Sequence, residues 1–265
     1  MIIVTGGAGF IGSNFILKFL EASNENLLNL DNLSYAANLS NLKPIDSDPR
    51  YSFSKINIQN QSEVEEIVKE VKPRAILNFA AESHVDRSIE GPESFINTNI
   101  LGTYSLLEAA LNYWNDLDES GKKIFRFFHI STDEVFGSLD INDKKSTEES
   151  SYKPNSPYSA SKAASDHLVR AWHHTFKLPT LVSNCTNNYG PHQHEEKLIP
   201  LIITKALKND NLPIYGDGKN IRDWLYVEDH CEAIMKILEN GNPGETYNIG
   251  GNCEKNNLEV VSEIC

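Results

Sequence analysis

Residues 1–12 read Met1-Ile2-Ile3-Val4-Thr5-Gly6-Gly7-Ala8-Gly9-Phe10-Ile11-Gly12, an apolar run of strand length that passes into glycines at 6, 9 and 12. From Ile11 to Ala22 apolar residues recur at helical spacing, so the glycines lie where a first strand turns into a first helix. Glycines at that turn let the backbone approach a pyrophosphate, whose charge is favoured at a helix N-terminus. A tight strand-to-helix turn alone would also account for them. The next apolar run, Leu27 to Asp31, ends on a carboxylate at the distance expected of a ribose-binding acid. Asp31 would accept from the ribose hydroxyls and repel a 2′-phosphate, which favours NAD over NADP.

The same rhythm continues outward. Strand-like runs at Arg74 to Ala80, Ile124 to Ser131 and Thr180 to Cys185 alternate with helical patterns starting near Ser62 and spanning Pro92 to Trp114 and Pro157 to Phe176. Such alternation predicts a parallel sheet covered by helices on both faces, a doubly wound Rossmann-type α/β fold. Ser62-Glu63-Val64-Glu65 has the capping-box form of a helix start. The polar stretch 140–155 reads as a surface loop. After Cys185 the rhythm weakens and Pro, Gly and Asn become frequent. The expected organisation is a dinucleotide-binding domain over 1–185 that carries the catalytic residues, followed by a smaller, loop-rich substrate lobe over 186–265.

Tyr158 and Lys162 stand four residues apart, hence on one helix face, after Ser156 and Pro157, which suit the N-cap and first helical position. A cation beside a phenol lowers its pKa from about 10 and makes it a usable base. By itself the spacing also fits a surface Tyr and Lys, and the glycine turn upstream is what favours the chemical reading. Thr132-Asp133-Glu134 follows an apolar strand, so both carboxylates fall at a strand's carboxyl end, where open α/β sheets place their ligands. Two acids there can divide acid and base roles if their surroundings separate their pKa values. In isolation the pair would read as a solvated loop.

Composition bounds these readings. The 265 residues suffice for one large α/β domain or a large and a small one, and 40% hydrophobic with 23% charged residues excludes a disordered chain. A net charge of −13 argues against nucleic acid or an anionic membrane as the main partner. The four cysteines form no CxxC pair, the first residues carry no leader pattern, and no apolar run reaches membrane-spanning length, so a cytoplasmic protein is expected. His173-His174 and His192-Gln193-His194-Glu195 fit no zinc pattern, and no metal is expected. No Ser-His-acid arrangement supports a hydrolase.

With these residues in hand, the chain resembles the extended short-chain dehydrogenase/reductase superfamily, through TGGAGFIG at 5–12 and Tyr158-x-x-x-Lys162. Within it, AAESHVDRSI (80–89), STDEVFG (131–137), NNYGP (187–191), EKLIP (196–200) and RDWLYV (222–227) resemble the dTDP-glucose 4,6-dehydratase family along the whole chain. The resemblance implies an NAD-dependent hydro-lyase: oxidation at C4 of a nucleotide sugar, loss of water across C5 and C6, and hydride return to C6. It implies Tyr158 as the base at O4, Lys162 on the nicotinamide ribose, and Thr132 as a hydrogen-bond partner of the sugar. Glu134 would take the C5 proton and Asp133, kept protonated, would give one to the leaving C6 hydroxyl.

The resemblance also assigns contacts. Gly6, Gly9, Phe10, Ile11 and Gly12 would face the cofactor, together with Asp31, Asn32, Leu33 and Ser34. Asn57, Ile58, Ala80, Ala81, Thr98 and Asn188 complete that set with Tyr158 and Lys162. Around the substrate it implies Ser83, Thr132, Asn187, Lys197 and Leu198, then Pro213, Ile214, Tyr215, Arg222 and Asn257. Lys197 and Arg222 have a physical rationale, since a diphosphate needs local cations that an acidic chain does not supply generally.

Two departures from the family pattern stand out. Asn57 occupies the place of an aspartate that accepts from the adenine amino group. Family members also continue for several tens of residues beyond the match to Cys265, which implies an incomplete substrate lobe. The family implies a homodimer through a four-helix interface, with the Pro92 to Trp114 and Pro157 to Phe176 helices as candidates. Two rival readings are a nucleotide-sugar 4-epimerase, which lacks the acidic pair, and a non-catalytic nucleotide-sugar-binding protein, which would not need the acid/base set.

Overall fold

The computed structural model describes residues 1–140, 143–214 and 216–265. The strands, in chain order, are β1 (Ile2–Thr5), β2 (Leu27–Asp31), β3 (Tyr51–Lys55), β4 (Ala75–Asn78), β5 (Arg126–Thr132), β6 (Thr180–Cys185), β7 (Asn187–Tyr189), β8 (Ile221–Tyr226), β9 (Thr246–Ile249) and β10 (Glu254–Asn256). The α-helices are α1 (Phe10–Ala22), α2 (Gln61–Val71), α3 (Val85–Glu90), α4 (Pro92–Phe95), α5 (Thr103–Asn115), α6 (Glu119–Ile124), α7 (Pro157–Phe176), α8 (Leu198–Leu207), α9 (Val227–Asn240) and α10 (Asn257–Ile264).

Seven strands form an all-parallel sheet in the order β3-β2-β1-β4-β5-β6-β9, which is the doubly wound fold expected from the sequence. Its central strands are apolar nearly throughout because both faces are covered. Alternate residues of β1 show this: Ile2 and Val4 pack with Phe15, Phe19 and Leu238 of α1 and α9, whereas Ile3 packs with Val64, Leu106 and Val169 of α2, α5 and α7. Since β1 lies between β2 and β4, the order reverses there and opens a crevice at the carboxyl ends of those strands.

Boundaries differ in places for local reasons. The run expected as a strand from Ile124 begins at Arg126, because Asp118 accepts from the Gly121 N–H at 2.7 Å and starts α6. At α2 the N-cap is Asn60 with no side-chain cap bond, so the capping box expected at Ser62 does not form; the Ser62 hydroxyl donates instead to Asn60 Oδ1 at 2.9 Å. At α7 the Ser156 cap and first-position Pro157 are as expected, with the Ser159 N–H donating to Ser156 Oγ at 3.0 Å. The Pro92 to Trp114 helix is α4 and α5 joined by a π-helical turn, Ile96–Gly102.

The boundary expected at residue 185 does not divide the sheet. β9 pairs with β6, and α9 packs on α1, so residues beyond 226 return to complete the first layer. What stands apart is a three-stranded sheet, β10-β8-β7, with α8 and α10 beside it. No helix among the described residues is long and apolar enough to cross a membrane.

Candidate active site

The glycine turn explains itself sterically. Gly6 has φ +70°, and a Cβ there would stand 2.6 Å from the Ala80 backbone nitrogen. A Cβ on Gly12 would meet the Gly6 carbonyl oxygen, so α1 starts close against the turn only with glycine at both places. Gly9 is the N-cap of α1 and offers no side-chain cap, which leaves the first backbone N–H groups of the helix for a ligand. Asp31, at the end of β2, accepts from the Ala8 N–H at 2.9 Å through Oδ2 and from the Leu33 N–H at 2.8 Å through Oδ1. Its burial raises the carboxyl's pKa while these two donors lower it.

From this turn a cleft of about 300 Å³ runs over the sheet crevice to the start of α7. Every cofactor contact expected from the sequence lines it except Leu33 and Asn57. Leu33 has φ +58°, which turns its N–H back to Asp31. Asn57 Oδ1 already accepts from the Gln59 N–H at 3.0 Å.

At the far end, Thr132, Glu134, Tyr158 and Lys162 line the cleft with Ser83, Asn187 and Lys197. Thr132 closes β5 and caps a 3-10 turn, Asp133–Phe136, accepting from the Glu134 N–H at 3.3 Å and donating to Asp133 Oδ1 at 3.3 Å. That turn brings both acids to the strand's carboxyl end. Burial first, and then the charge of Glu134, push the Asp133 carboxyl up to about 6. Burial also raises Glu134, but Arg222 and Lys197 both pull it down. The two neighbours therefore have unequal settings: Asp133 feels the Glu134 anion against Arg222, and Glu134 feels both Arg222 and Lys197.

Tyr158 and Lys162 both line the cleft. Burial and the charges of Glu134 and Asp133 hold the Tyr158 phenol well above its ordinary value, with Thr132 working the other way. The Lys162 amine is 2.9 Å from the Ile130 carbonyl oxygen, to which it donates, and 3.2 Å from His129 Nε2. Burial lowers it to about 8.

Five expected substrate contacts lie outside the lining. Leu198 opens α8, Pro213 and Ile214 sit in the exposed loop after it, Arg222 is exposed on β8, and Asn257 opens α10. Asp133 is also absent from the lining, although it is coupled to Glu134. Tyr215 lies outside the described residues.

Comparisons with known proteins bear on this geometry. A family model described as GDP-mannose 4,6 dehydratase matches residues 3–265. The dTDP-glucose 4,6-dehydratase of Haemophilus influenzae is 56% identical over 264 residues, covering 100% of this chain and 78% of that protein. The chain belongs to the dTDP-glucose 4,6-dehydratase family. The crystal structure of dTDP-glucose 4,6-dehydratase from Bacillus anthracis in complex with NAD matches with a TM-score of 0.90 at 48% identity, covering 99% of this chain and 79% of that one. The dTDP-glucose 4,6-dehydratase DesIV of Streptomyces venezuelae, also with NAD bound, matches with a TM-score of 0.92 at 44% identity, covering 99% and 79%.

This member of the dTDP-glucose 4,6-dehydratase family gathers further residues that its sequence did not single out. Asn99, in the π-helical turn, donates to Ser161 Oγ at 2.8 Å and holds the Glu82 backbone through both amide atoms, which ties the cleft wall to α7. Over the cleft, Tyr35, His194 and Glu196 meet from two distant loops, with the Arg87 guanidinium 3.6 Å from the Tyr35 ring centre. Beneath it lie His129 and Asp166, a histidine within an apolar strand and an acid one turn beyond Lys162. Those two had a sequence signal; the loop meeting had none.

Proposed function

We infer that this chain is an NAD-dependent dTDP-glucose 4,6-dehydratase, a hydro-lyase forming dTDP-4-keto-6-deoxyglucose and water. The observation that carries this reading is the unequal setting of Asp133 and Glu134 beside Tyr158 at the end of a dinucleotide cleft. A 4-epimerase has no use for a paired acid and base there.

The residues present fit NAD. Gly6 and Gly12 have no room for side chains, the α1 N-terminus is uncapped, and Asp31 stands at the end of β2. These would hold the pyrophosphate and adenosine ribose, with Ile58 and Thr98 along the cleft wall and Lys162 at the other ribose. When bound, NAD would supply the hydride acceptor for oxidation at the sugar C4 and the hydride donor for C6.

The chain's own residues move the protons. Tyr158 takes the O4 proton, and Thr132 orients that oxygen. With C4 at the ketone level the C5 proton is acidified. Glu134, raised by burial but drawn down by Arg222 and Lys197, removes it and, once hydride has reached C6, returns a proton to C5. Asp133, held up to about 6, supplies a proton to the departing C6 hydroxyl. Lys197 and Arg222 also serve the diphosphate, with Asn187, Leu198, Pro213, Ile214 and Asn257 around the nucleotide.

A homodimer is supported by the apolar surface of the π-helical turn, α5 and α7, where Leu101 and Phe176 are 52% and 45% exposed and Tyr104, Trp172 and Phe176 stack edge to face. A reducing, cytoplasmic setting is supported by the acidic composition and four free cysteines.

The deciding experiment is mass spectrometry of dTDP-glucose after incubation with the purified chain and NAD. Loss of one water, abolished in an Asp133→Asn, Glu134→Gln double variant, is the expected result. An unchanged mass despite demonstrated NAD binding would reject the assignment.

A further inference from the structure

The floor beneath Tyr158 is a buried polar cluster between α7 and β5. Lys162, Asp166 and His129 are 3%, 4% and 1% exposed. Two of them address the same atom: Lys162 Nζ is 3.2 Å from His129 Nε2, and Asp166 Oδ1 is 3.4 Å from it. Asp166 Oδ2 accepts from Ser131 Oγ at 2.9 Å, Tyr152 Oη at 3.0 Å and Asn184 Nδ2 at 3.1 Å, whereas Oδ1 has no hydrogen-bond partner among the described residues. On the other side of the ring, Nδ1 lies 3.1 Å from Asn78 Nδ2. Asn78 Oδ1 accepts from the Thr5 hydroxyl at 2.7 Å, which leaves the amide nitrogen facing the ring.

A buried ammonium needs a counter-charge. The titratable groups facing Lys162 are Tyr158 and Asp166 on α7, His129 on β5 and Cys185 on β6. Tyr158 is held well above its ordinary value, the Cys185 thiol is pushed up to about 12, and burial keeps His129 well below its own, so all three are neutral. Burial raises Asp166, while Lys162 and the three donors on Oδ2 lower it.

We propose that Asp166 is a positioning residue for Lys162: it is the buried counter-charge of the amine, one turn along the same helix and approaching the same His129 nitrogen. This rests on the dehydratase reading of the site, where a charged Lys162 is needed. It assigns a role to the third turn of α7, which places Tyr158, Lys162 and Asp166 on one face.

The test is Asp166→Asn, which keeps the side chain's shape, with Tyr152→Phe as a control that removes a hydrogen bond to the same carboxylate but not its charge. Removing the anion disfavours the ammonium, so Lys162, already near 8, loses its proton about 1–2 pH units lower. The ratio of variant to wild-type kcat is then expected to be about one-tenth at pH 7.5 and within about twofold of unity at pH 6. Tyr152→Phe keeps the wild-type pH dependence. Nitrogen-15 resonances of lysine-labelled protein give a reading independent of turnover: a Lys162 titration that moves down in Asp166→Asn. An unmoved Lys162 titration, or a kcat ratio that is equal at all pH values, would overturn the proposal. Failure of the wild type to release water would overturn the dehydratase reading and leave the resonance test standing.

Discussion

Ala8 and Asp31 are joined by a hydrogen bond of 2.9 Å from the Ala8 N–H to Asp31 Oδ2. The carboxylate at the end of β2 thus fixes the turn after β1 as well as presenting a charge to the cleft. Loop shape and cofactor choice depend on one side chain.

Replacing Asp31 by Asn therefore affects both. An amide cannot accept from the Ala8 and Leu33 N–H groups with different oxygens, so one donor loses its partner, and the charge that repels a 2′-phosphate is gone. NAD affinity is expected to fall about tenfold or more, and the preference for NAD over NADP to narrow by a similar factor. Titration calorimetry with both dinucleotides on cofactor-stripped protein measures each.

Gly6 and Gly9 separate folding from binding. Gly6→Ala meets backbone at 2.6 Å with φ +70°, and is expected to lower stability by about 1–3 kcal/mol. Gly9 has φ −78° and ψ 178°, and its nearest obstacle is the Gly6 carbonyl at 3.3 Å. Gly9→Ala should leave the thermal midpoint within a few degrees while weakening NAD at least tenfold, by putting a methyl group where a phosphate approaches. Melting curves with and without NAD distinguish the two.

Asp133→Asn is expected to stabilise the fold as it removes activity. The carboxyl's folded pKa of about 6 lies above its ordinary 3.8, so the folded chain holds this proton more tightly than the unfolded one. Its stabilising contribution is therefore present at low pH and lost as pH rises through about 6, leaving a cost of about 2–3 kcal/mol at pH 7.5. The Asn variant should gain up to that amount at pH 7.5 and almost nothing at pH 4, by urea unfolding. Its water-loss rate should fall about 10²–10⁴-fold.

Charge on the apolar face formed by the π-helical turn, α5 and α7 tests assembly. A Leu101→Glu, Phe176→Glu double variant should sediment as a monomer at concentrations where the parent chain is a dimer, with its far-ultraviolet circular dichroism unchanged. A monomeric parent chain would remove the dimer from the reading.

The parallel sheet was legible because strands covered on both faces are buried throughout and carry short apolar runs, such as Ile2-Ile3-Val4 of β1, Leu27-Leu28 of β2 and Leu181-Val182 of β6. The edge strand β3, Tyr-Ser-Phe-Ser-Lys, alternates and gives no such run, and β9 is four residues long and arrives only after the second lobe. In the site, the glycine turn, the acidic pair and the Tyr158–Lys162 spacing are local and could be read directly. The direction of the Lys162 amine could not, because the Ile130 carbonyl and His129 ring that hold it belong to another element. Nor could the inequality of Asp133 and Glu134, which depends on Lys197 and Arg222 arriving from the other lobe.

The pairing of β9 with β6 orders events on the ribosome. Residues 186–245 must emerge before the last strand can add to the sheet, so the sheet's edge stays open while the nucleotide-sugar side is being synthesised. An open parallel edge is a template for the wrong neighbour, and a chain stalled in that interval is the one most exposed to aggregation. Once β9 is in place, the intervening segment is anchored at both ends, and the two sheets are expected to unfold in a single transition.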